Sequence, residues 1–147
     1  MSSKSLDVFE STNWLNEGKI LVHPTEGVWG LGCNALDKNA FKKIYSLKKR
    51  DSQKSFILLA SSYEAIKKYT VELTEADISF LKKHWPGPVT FLIKYDPKIP
   101  RHLQNDTGKL AIRVSNHLPI KTLLKSFNSL MVSTSANISG EDILNDP

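Results

Sequence analysis

The run Leu47-Lys48-Lys49-Arg50 carries cationic side chains at a spacing that could hold an anionic ligand such as a phosphate. On a continuing helix the side chains of Lys48 and Arg50 would point about 200° apart and could not serve one ligand. If the chain becomes extended after Leu47, both side chains share one face and Lys54 follows within reach. The alternative is a solvated cationic helix end, which the helix dipole also favours.

A second polar cluster, Ser133-Thr134-Ser135-Ala136-Asn137, comes directly after the apolar run Leu130-Met131-Val132. In an extended chain the side chains of Ser133, Ser135 and Asn137 share one face. Open α/β sheets bind ligands just beyond their strand ends, so small hydrogen-bonding side chains at this place favour a ligand site. The alternative is a capped turn, because serine and asparagine also bond to the local backbone.

Arg113 lies in the segment Leu110-Ala111-Ile112-Arg113-Val114, whose alternation predicts a strand. Ala111 and Arg113 would share the face opposite to the aliphatic side chains. A small residue beside an arginine leaves room for a carboxylate or phosphate to accept two parallel hydrogen bonds. The alternative is an exposed arginine on an edge strand. Thr90 follows the rigid turn Trp85-Pro86-Gly87-Pro88 and places a hydroxyl at the start of another strand.

Residues 21–35, LVHPTEGVWGLGCNA, contain Gly27, Gly30 and Gly32 after a Pro-Thr-Glu turn. Glycine is used where the backbone needs a positive φ or where a ligand lies against bare backbone. The order G-x-x-G-x-G differs from the dinucleotide fingerprint G-x-G-x-x-G, and it leads into a segment that reads as a strand rather than a helix. The choice lies between a glycine-containing turn joining two strands and a place where a ligand crowds the backbone.

The spacing of apolar residues predicts the elements that position these groups. Helices are expected over 4–17, from an Asp37 cap to near Leu47, after Ser61-Ser62, after a capping box at Thr74, and from about Pro119. Strands are expected in the segments KILVH, FILLA, VTFLIKY, LAIRVS and LMVST. Helices separate some strands and a long loop over 96–109 separates others, so the order predicts an α/β or α+β sheet protein.

The chain has 147 residues, a size typical of one domain with its own core. No apolar signal region or membrane-length run is present, so we expect a cytoplasmic protein with no membrane partner. The single cysteine, Cys33, is expected to be a buried apolar residue rather than a nucleophile. The net charge of +5 suits an anionic ligand or partner. The histidines show no metal-ligand spacing, so no protein metal site is predicted.

These stretches together resemble the YrdC-like threonylcarbamoyl-AMP synthases of the bacterial TsaC type. The matching segments are PTEGVWGLG at 24–32, Lys48-x-Arg50, WPGPVT at 85–90, AIRV at 111–114 and STSANISG at 133–140. They occur in the family's order and nearly span the chain, so we expect residues 1–147 to form a single YrdC-like domain. The resemblance implies an α/β fold: a twisted, open mixed sheet flanked by helices, with a positively charged central cavity.

The resemblance also implies a reaction in which L-threonine, bicarbonate and ATP, accompanied by Mg²⁺, condense to L-threonylcarbamoyl-adenylate and pyrophosphate. The adenylate is the donor for N6-threonylcarbamoylation of adenosine 37 in tRNA, a step that needs other threonylcarbamoylation proteins. By position in the family's motifs, Thr25, Arg113 and Ser133 are expected to bind threonine. The residues expected to bind ATP are Lys48, Arg50, Lys54, Thr90, Ser135 and Asn137, and the expected catalytic residues are Lys48 and Arg50.

The sequence departs from the family at its end. Short bacterial members continue well past the Ser-x-Asn motif, whereas this sequence stops at Pro147. We therefore expect a chain that lacks the usual C-terminal segment, with weaker ATP binding and an exposed sheet edge.

An alternative from a different functional class is a catalytically incomplete module that binds tRNA or double-stranded RNA through its positive charge. No recognised RNA-binding motif supports sequence-specific reading. The related hydrogenase-maturation proteins, which also form a carbamoyl-adenylate, are much larger chains and rank last.

Overall fold

The computed structural model describes residues 6–24, 29–48 and 56–135. Its strands are β1 (Leu21–Pro24), β2 (Trp29–Asn34), β3 (Ile57–Leu59), β4 (Phe91–Lys94), β5 (Lys109–Arg113) and β6 (Met131–Ser135). Its helices are α1 (Val8–Asn16), α2 (Lys38–Lys48), α3 (Tyr63–Ile66), α4 (Glu75–His84) and α5 (Leu118–Phe127), with short 3-10 turns at Lys67–Tyr69 and Arg101–Leu103. The predicted open mixed sheet flanked by helices is confirmed.

The strands lie in the order β1-β2-β6-β3-β5-β4 across a six-stranded sheet. Strands β3 and β5 run parallel to each other, and the other neighbouring pairs are antiparallel. The last described strand along the chain, β6, lies between β2 and β3, so that Ser133 is opposite Gly32 on one side and Ile57 on the other. The small polar residues of β6 therefore lie near the centre of the sheet rather than at its edge.

One face of the sheet, which we call the core face, carries the main apolar cluster. Leu58, Ile112 and Val132 are buried there. Helices α2, α3 and α4 pack on this face through buried residues that include Ala40, Phe41, Ile44, Tyr63, Ile66 and Leu81. This packing leaves the opposite face of the same strands for other contacts.

The opposite face, which we call the site face, carries Ser133, Ser135, Ala111 and Arg113, as the pairing register shows. Helices α1 and α5 cover one part of it through a second apolar cluster. That cluster joins the strand residues Leu21, Leu59 and Met131 to the helix residues Leu15, Ile120, Leu123, Leu124 and Phe127. Ile57 and Leu92, which also lie on this face by register, are exposed. The described helices thus cover the site face only in part.

Local signals in the sequence explain where several helices begin and end. The side chain of Asp7 accepts a hydrogen bond from the Glu10 backbone and caps α1, and Gly18 follows that helix with φ of 76°, a conformation that favours glycine. The predicted capping box at Thr74 is confirmed, since Thr74 and Asp77 exchange side-chain to backbone hydrogen bonds at the start of α4.

The predicted elements are present, with differences at their ends. The helix expected near Pro119 is α5, which is longer than the short helix predicted because its buried residues pack against α1 and the sheet. The long loop over 96–109 contains the 3-10 turn Arg101–Leu103, whose Leu103 packs into the main core. Within the described ranges, no helix is long and apolar enough to cross a membrane.

Replacing Leu124 by alanine tests the contribution of the cluster beneath α5. Leu124 is 1% exposed, whereas Leu118 on the same helix is 71% exposed. We expect Leu124→Ala to lower the free energy of unfolding by about 2–5 kcal/mol, because it leaves a cavity. Leu118→Ala, the matched control, should change it by less than about 0.5 kcal/mol. Urea unfolding followed by circular dichroism measures both, and equal losses in the two variants would contradict this packing.

Candidate functional site

Lys48 is the last residue of α2 and is 2% exposed, so the solvated helix end that the sequence allowed is wrong for this side chain. Its Nζ donates to the backbone oxygen of Ser135 at 2.8 Å and lies 3.3 Å from the Ser135 Oγ. A buried ammonium is costly unless it is hydrogen-bonded, and β6 supplies these acceptors. Because α2 packs on the core face, Lys48 connects that helix to the end of a central strand.

Ser133 and Ser135 lie within β6 and point to the site face. The capped turn that the sequence allowed is therefore wrong for these two residues, which are paired in a ladder with Gly32 and Gly30 of β2. Because their partners on β2 are glycines, no β2 side chain lies directly opposite the hydroxyls of Ser133 and Ser135. The structure thus brings Ser135 together with Lys48, and their assigned role in binding ATP stays a prediction.

Arg113 ends β5, which lies between β3 and β4, so the edge-strand alternative is wrong. The predicted alternation is confirmed: Leu110 and Ile112 are buried in the core, while Ala111 and Arg113 are partly exposed on the other face. The Nε atom of Arg113 is buried and has no hydrogen-bond partner among the described residues. A buried donor without an acceptor costs about 1–3 kcal/mol, and a bound anion would supply that acceptor.

Thr90 is partly buried and precedes β4, and continuing the β4–β5 register by one residue places it beside Arg113. The turn before it is tight, because a Cβ on Gly87 would lie 2.5 Å from the backbone oxygen of His84. The Gly87 backbone donates to the Val114 oxygen at 2.8 Å, which ties this turn to the end of β5. Thr90 is therefore close to Arg113 and three strands away from Ser135. Its assigned contact with ATP stays a prediction.

Several expected site residues lie outside the described residues: Thr25, Arg50, Lys54 and Asn137. Their assigned roles stay predictions. The positively charged central cavity also stays a prediction. A cavity of about 400 Å³ lies beside α2, lined by Phe41, Tyr45, Phe56 and His102 among others, and it contains none of the expected ligand-binding side chains. No group of three or more histidine, cysteine, aspartate or glutamate side chains suited to a metal lies within 6–24, 29–48 and 56–135.

Two of the expected ligand-binding cations, Lys48 and Arg113, lie at different parts of the site. Strand spacing and register put the Cα atoms of Ser135 and Arg113 about 16 Å apart, since they are two strands and four residues along the ladder from each other. Lys48 is held at the Ser135 end. Between the ends lie Ser133, Ile57 and Ala111. This arrangement suits one ligand system with two separate anionic groups.

His23 is a site-face residue whose contacts sequence reasoning missed, since the histidines had no metal-ligand spacing and were set aside. Its ring lies against Gly30 and Gly32 of β2. In the sequence, His23 precedes the pair Gly30-x-Gly32 by one strand. That pattern does not show that the ring packs on the glycines unless the pairing register of the two strands is known.

Cys33 is fully buried on the core face, as expected from the sequence. Burial, and secondarily the negative charge of Asp37, raises the pKa of its thiol to about 12. The thiol is therefore protonated near neutral pH, and this confirms that Cys33 is a buried apolar residue rather than a nucleophile.

The chain is similar to proteins of one family over most of its length. The Sua5/YciO/YrdC family model, described as "Telomere recombination", matches residues 13–147. The threonylcarbamoyl-AMP synthase of Yersinia enterocolitica is 38% identical over 130 residues, which cover 87% of this chain and 68% of that protein. The threonylcarbamoyl-AMP synthase of Buchnera aphidicola is 40% identical over 144 residues, which cover 90% of this chain and 74% of that protein.

A solved structure shares the same architecture. The crystal structure of P. abyssi Sua5 complexed with L-threonine superposes with a TM-score of 0.83 at 30% sequence identity. The match covers 95% of this chain and 42% of the Sua5 chain, so this chain spans less than half the length of that protein.

The raised pKa of Cys33 predicts slow alkylation of the folded protein. At pH 8 a thiol with a pKa of about 12 is ionised in roughly one molecule in ten thousand, against about one in four for a free thiol. The rate should rise with pH, and the stability that this shift contributes should be lost as the pH rises towards 12. Mass spectrometry after iodoacetamide treatment measures the reaction. The same protein in guanidinium chloride is the control, and rapid stoichiometric labelling of the folded protein would contradict the assignment.

Proposed function

Because the chain belongs to the Sua5/YciO/YrdC family, we propose that it is a threonylcarbamoyl-AMP synthase. In this proposal it condenses L-threonine, bicarbonate and ATP to L-threonylcarbamoyl-adenylate, with release of pyrophosphate and water. The observation that carries the proposal is the buried Lys48 ammonium held at Ser135, on the face that also presents Arg113. Relatives at about 40% identity that bear the synthase name support it.

The Lys48 end of the site face is the proposed place of the ATP phosphates. The Lys48 ammonium is fixed by the backbone oxygen of Ser135, so its charge is held in one position before the substrate arrives. The Ser135 hydroxyl lies within the same contact and can donate to a phosphate oxygen. Arg50, Lys54 and Asn137 join this group in the proposal through their positions in the motifs.

The Arg113 end is the proposed place of the threonine carboxylate. The guanidinium presents donors in a planar fork that matches a carboxylate, and its Nε has no acceptor among the described residues. Ala111, two residues earlier on the same face, leaves space beside the fork. Ser133 lies between this end and Ser135, where its hydroxyl can contact the threonine part. Thr25 completes the proposed threonine site by its motif position.

Charge neutralisation is the main contribution that this chemistry needs from the protein. The threonine amine and bicarbonate form a carbamate, whose oxygen attacks the α-phosphorus of ATP while the bond to pyrophosphate breaks. The attacking group and the triphosphate are both anionic, so their repulsion opposes the approach. Fixed cations at Lys48 and Arg113 offset it, and Mg²⁺ arriving with ATP would carry part of the triphosphate charge. Positioning then supplies much of the acceleration.

The product is proposed to serve tRNA modification. A mixed carbamic-phosphoric anhydride of this kind is an activated donor, and the proposed acceptor is the N6 amine of adenosine 37 in tRNA. That transfer is assigned to other threonylcarbamoylation proteins in the cytoplasm. Direct binding of tRNA or double-stranded RNA is the alternative function, and the net charge of +5 is the observation that favours it.

Replacing Lys48 by methionine tests the phosphate end. Methionine keeps an apolar stem at this buried position but removes the charge, so we expect pyrophosphate release to fall by about 100- to 1000-fold. The assay contains ATP, magnesium, threonine and bicarbonate, with mass spectrometry for the adenylate. Lys43→Met, which removes an exposed cation of the same helix, should leave the rate essentially unchanged.

The outcome for the wild-type chain separates the two functions. Release that requires both threonine and bicarbonate supports the synthase. A folded wild-type protein that releases no pyrophosphate but binds tRNA with steep salt dependence would support the RNA-binding alternative. In that case Lys48→Met should weaken RNA binding only by the share of one charge.

Replacing Arg113 by lysine tests the threonine end. The variant keeps the charge but loses the planar fork, so we expect the KM for threonine to rise by about 10- to 100-fold with a smaller change in kcat. Steady-state pyrophosphate release at varied threonine measures both values. Arg101→Lys, the same exchange at an exposed arginine in the loop, is the control. An unchanged KM for threonine in Arg113→Lys would remove Arg113 from the proposed site.

A further inference from the structure

His23 lies on the site face of β1 and is 3% exposed. It is directly opposite Gly30 in the β1–β2 ladder. A Cβ on Gly30 would lie 2.8 Å from His23 Cε1 and 3.0 Å from Nε2, and a Cβ on Gly32 would lie 3.1 Å from Cδ2. The imidazole therefore lies across both glycines and fills the space that their missing side chains leave.

This contact explains why glycine occurs at positions 30 and 32. Real Cβ atoms are not found as close to another atom as a Cβ on Gly30 would be, and the neighbouring backbone oxygens of Thr134 and Val132 lie 3.3 Å and 3.1 Å from the added atoms. The ring and the bare backbone of β2 thus form one tightly packed unit. The glycines make room for a side chain of this chain itself.

The same row of the sheet leads from His23 to the Lys48 end of the site. Gly30 is opposite His23 on one side and opposite Ser135 on the other. The backbone oxygen of Ser135 in turn accepts a hydrogen bond from the Lys48 ammonium. Since Gly30 has no side chain, the imidazole occupies space in which a Gly30 side chain would lie, in the same row as Ser135. The ring therefore packs on β2 at the row where β2 pairs with the end of β6.

We propose that His23 is a positioning residue that fixes the Lys48–Ser135 pair by packing across Gly30 and Gly32. The proposal rests on the synthase function proposed above and assigns His23 no contact with substrate. Removing the ring leaves a space that the glycines cannot fill, so the end of β6 and the ammonium bound to it lose their fixed place. A ring of similar shape without nitrogen atoms restores the packing.

The first test compares His23→Ala with His23→Phe. We expect kcat/KM for ATP to fall by about 10- to 100-fold in His23→Ala, and His23→Phe to recover most of the loss. Val22→Ala changes a half-exposed residue of the same strand on the other face and is the control for strand damage. Thermal unfolding checks that each variant is folded. Wild-type kinetics in folded His23→Ala would overturn the proposal.

A pair of double-mutant cycles separates positioning from a general loss of stability. If His23 acts through the Lys48–Ser135 pair, the losses of His23→Ala and Lys48→Met should not multiply in the double variant. The losses of His23→Ala and Arg113→Lys, at the far end of the site face, should multiply. Multiplying losses in both cycles would overturn the proposal. If His23→Ala does not fold, the less disruptive His23→Leu replaces it in both cycles.

The wild-type protein distinguishes failure of this inference from failure of the synthase function. Calorimetric ATP affinity is measured for every variant beside pyrophosphate release. If the wild-type chain binds ATP without turnover, the synthase function fails and the cycles are judged on ATP affinity alone. If the wild-type chain neither binds ATP nor turns over, both proposals are overturned.

Discussion

The contact between the Lys48 ammonium and Ser135 is the interaction on which the site depends. It joins a helix packed on the core face to the end of a strand at the centre of the sheet. An ammonium that is 2% exposed is stable only with acceptors at fixed places, and a backbone oxygen of a central strand is among the most rigid acceptors available. The cost of burying the charge is offset there, and the charge is held in place without any substrate.

The core face of the sheet carries the main apolar core, and the site face carries a smaller apolar cluster and the polar residues. The alternation of side chains along each strand allows one strand to contribute to both faces. On the core face, α2, α3 and α4 bury the aliphatic residues. On the site face, α1 and α5 bury the described strand residues Leu21, Leu59 and Met131, and the polar residues of β5 and β6 lie beyond that cluster. A strand such as β5 therefore stabilises the fold through Ile112 and places Arg113, one residue further along, on the face of the proposed ligand site.

Local features of the fold were predictable from the sequence, whereas contacts between distant segments were not. The capping box at Thr74 and the alternation around Arg113 depend on neighbours within a few residues, and both were read correctly. Lys48 donates to Ser135, which is 87 residues away in the sequence. The spacing of Lys48 and Arg50 alone could not distinguish this buried lysine from one at a solvated helix end. The reason for glycine at positions 30 and 32 is their contact with the His23 ring. That contact depends on the pairing register of β1 and β2, which the periodicity of the sequence does not determine.

The central place of β6 has a consequence for the way the protein is made. Among the described strands, the pair β1-β2 and the group β3-β5-β4 share no direct pairing, and β6 joins them. During synthesis from the N-terminus, these described parts cannot join through β6 until residues 131–135 have been made. Pairing β6 with β2 closes a loop of many residues, and such long-range pairing is slow because of its entropic cost. Ser135 belongs to that same strand, so the strand that joins the two parts of the sheet also provides the hydrogen-bond acceptor for Lys48. The proposed phosphate-binding end therefore forms only after the strand that joins the two described parts of the sheet has been made.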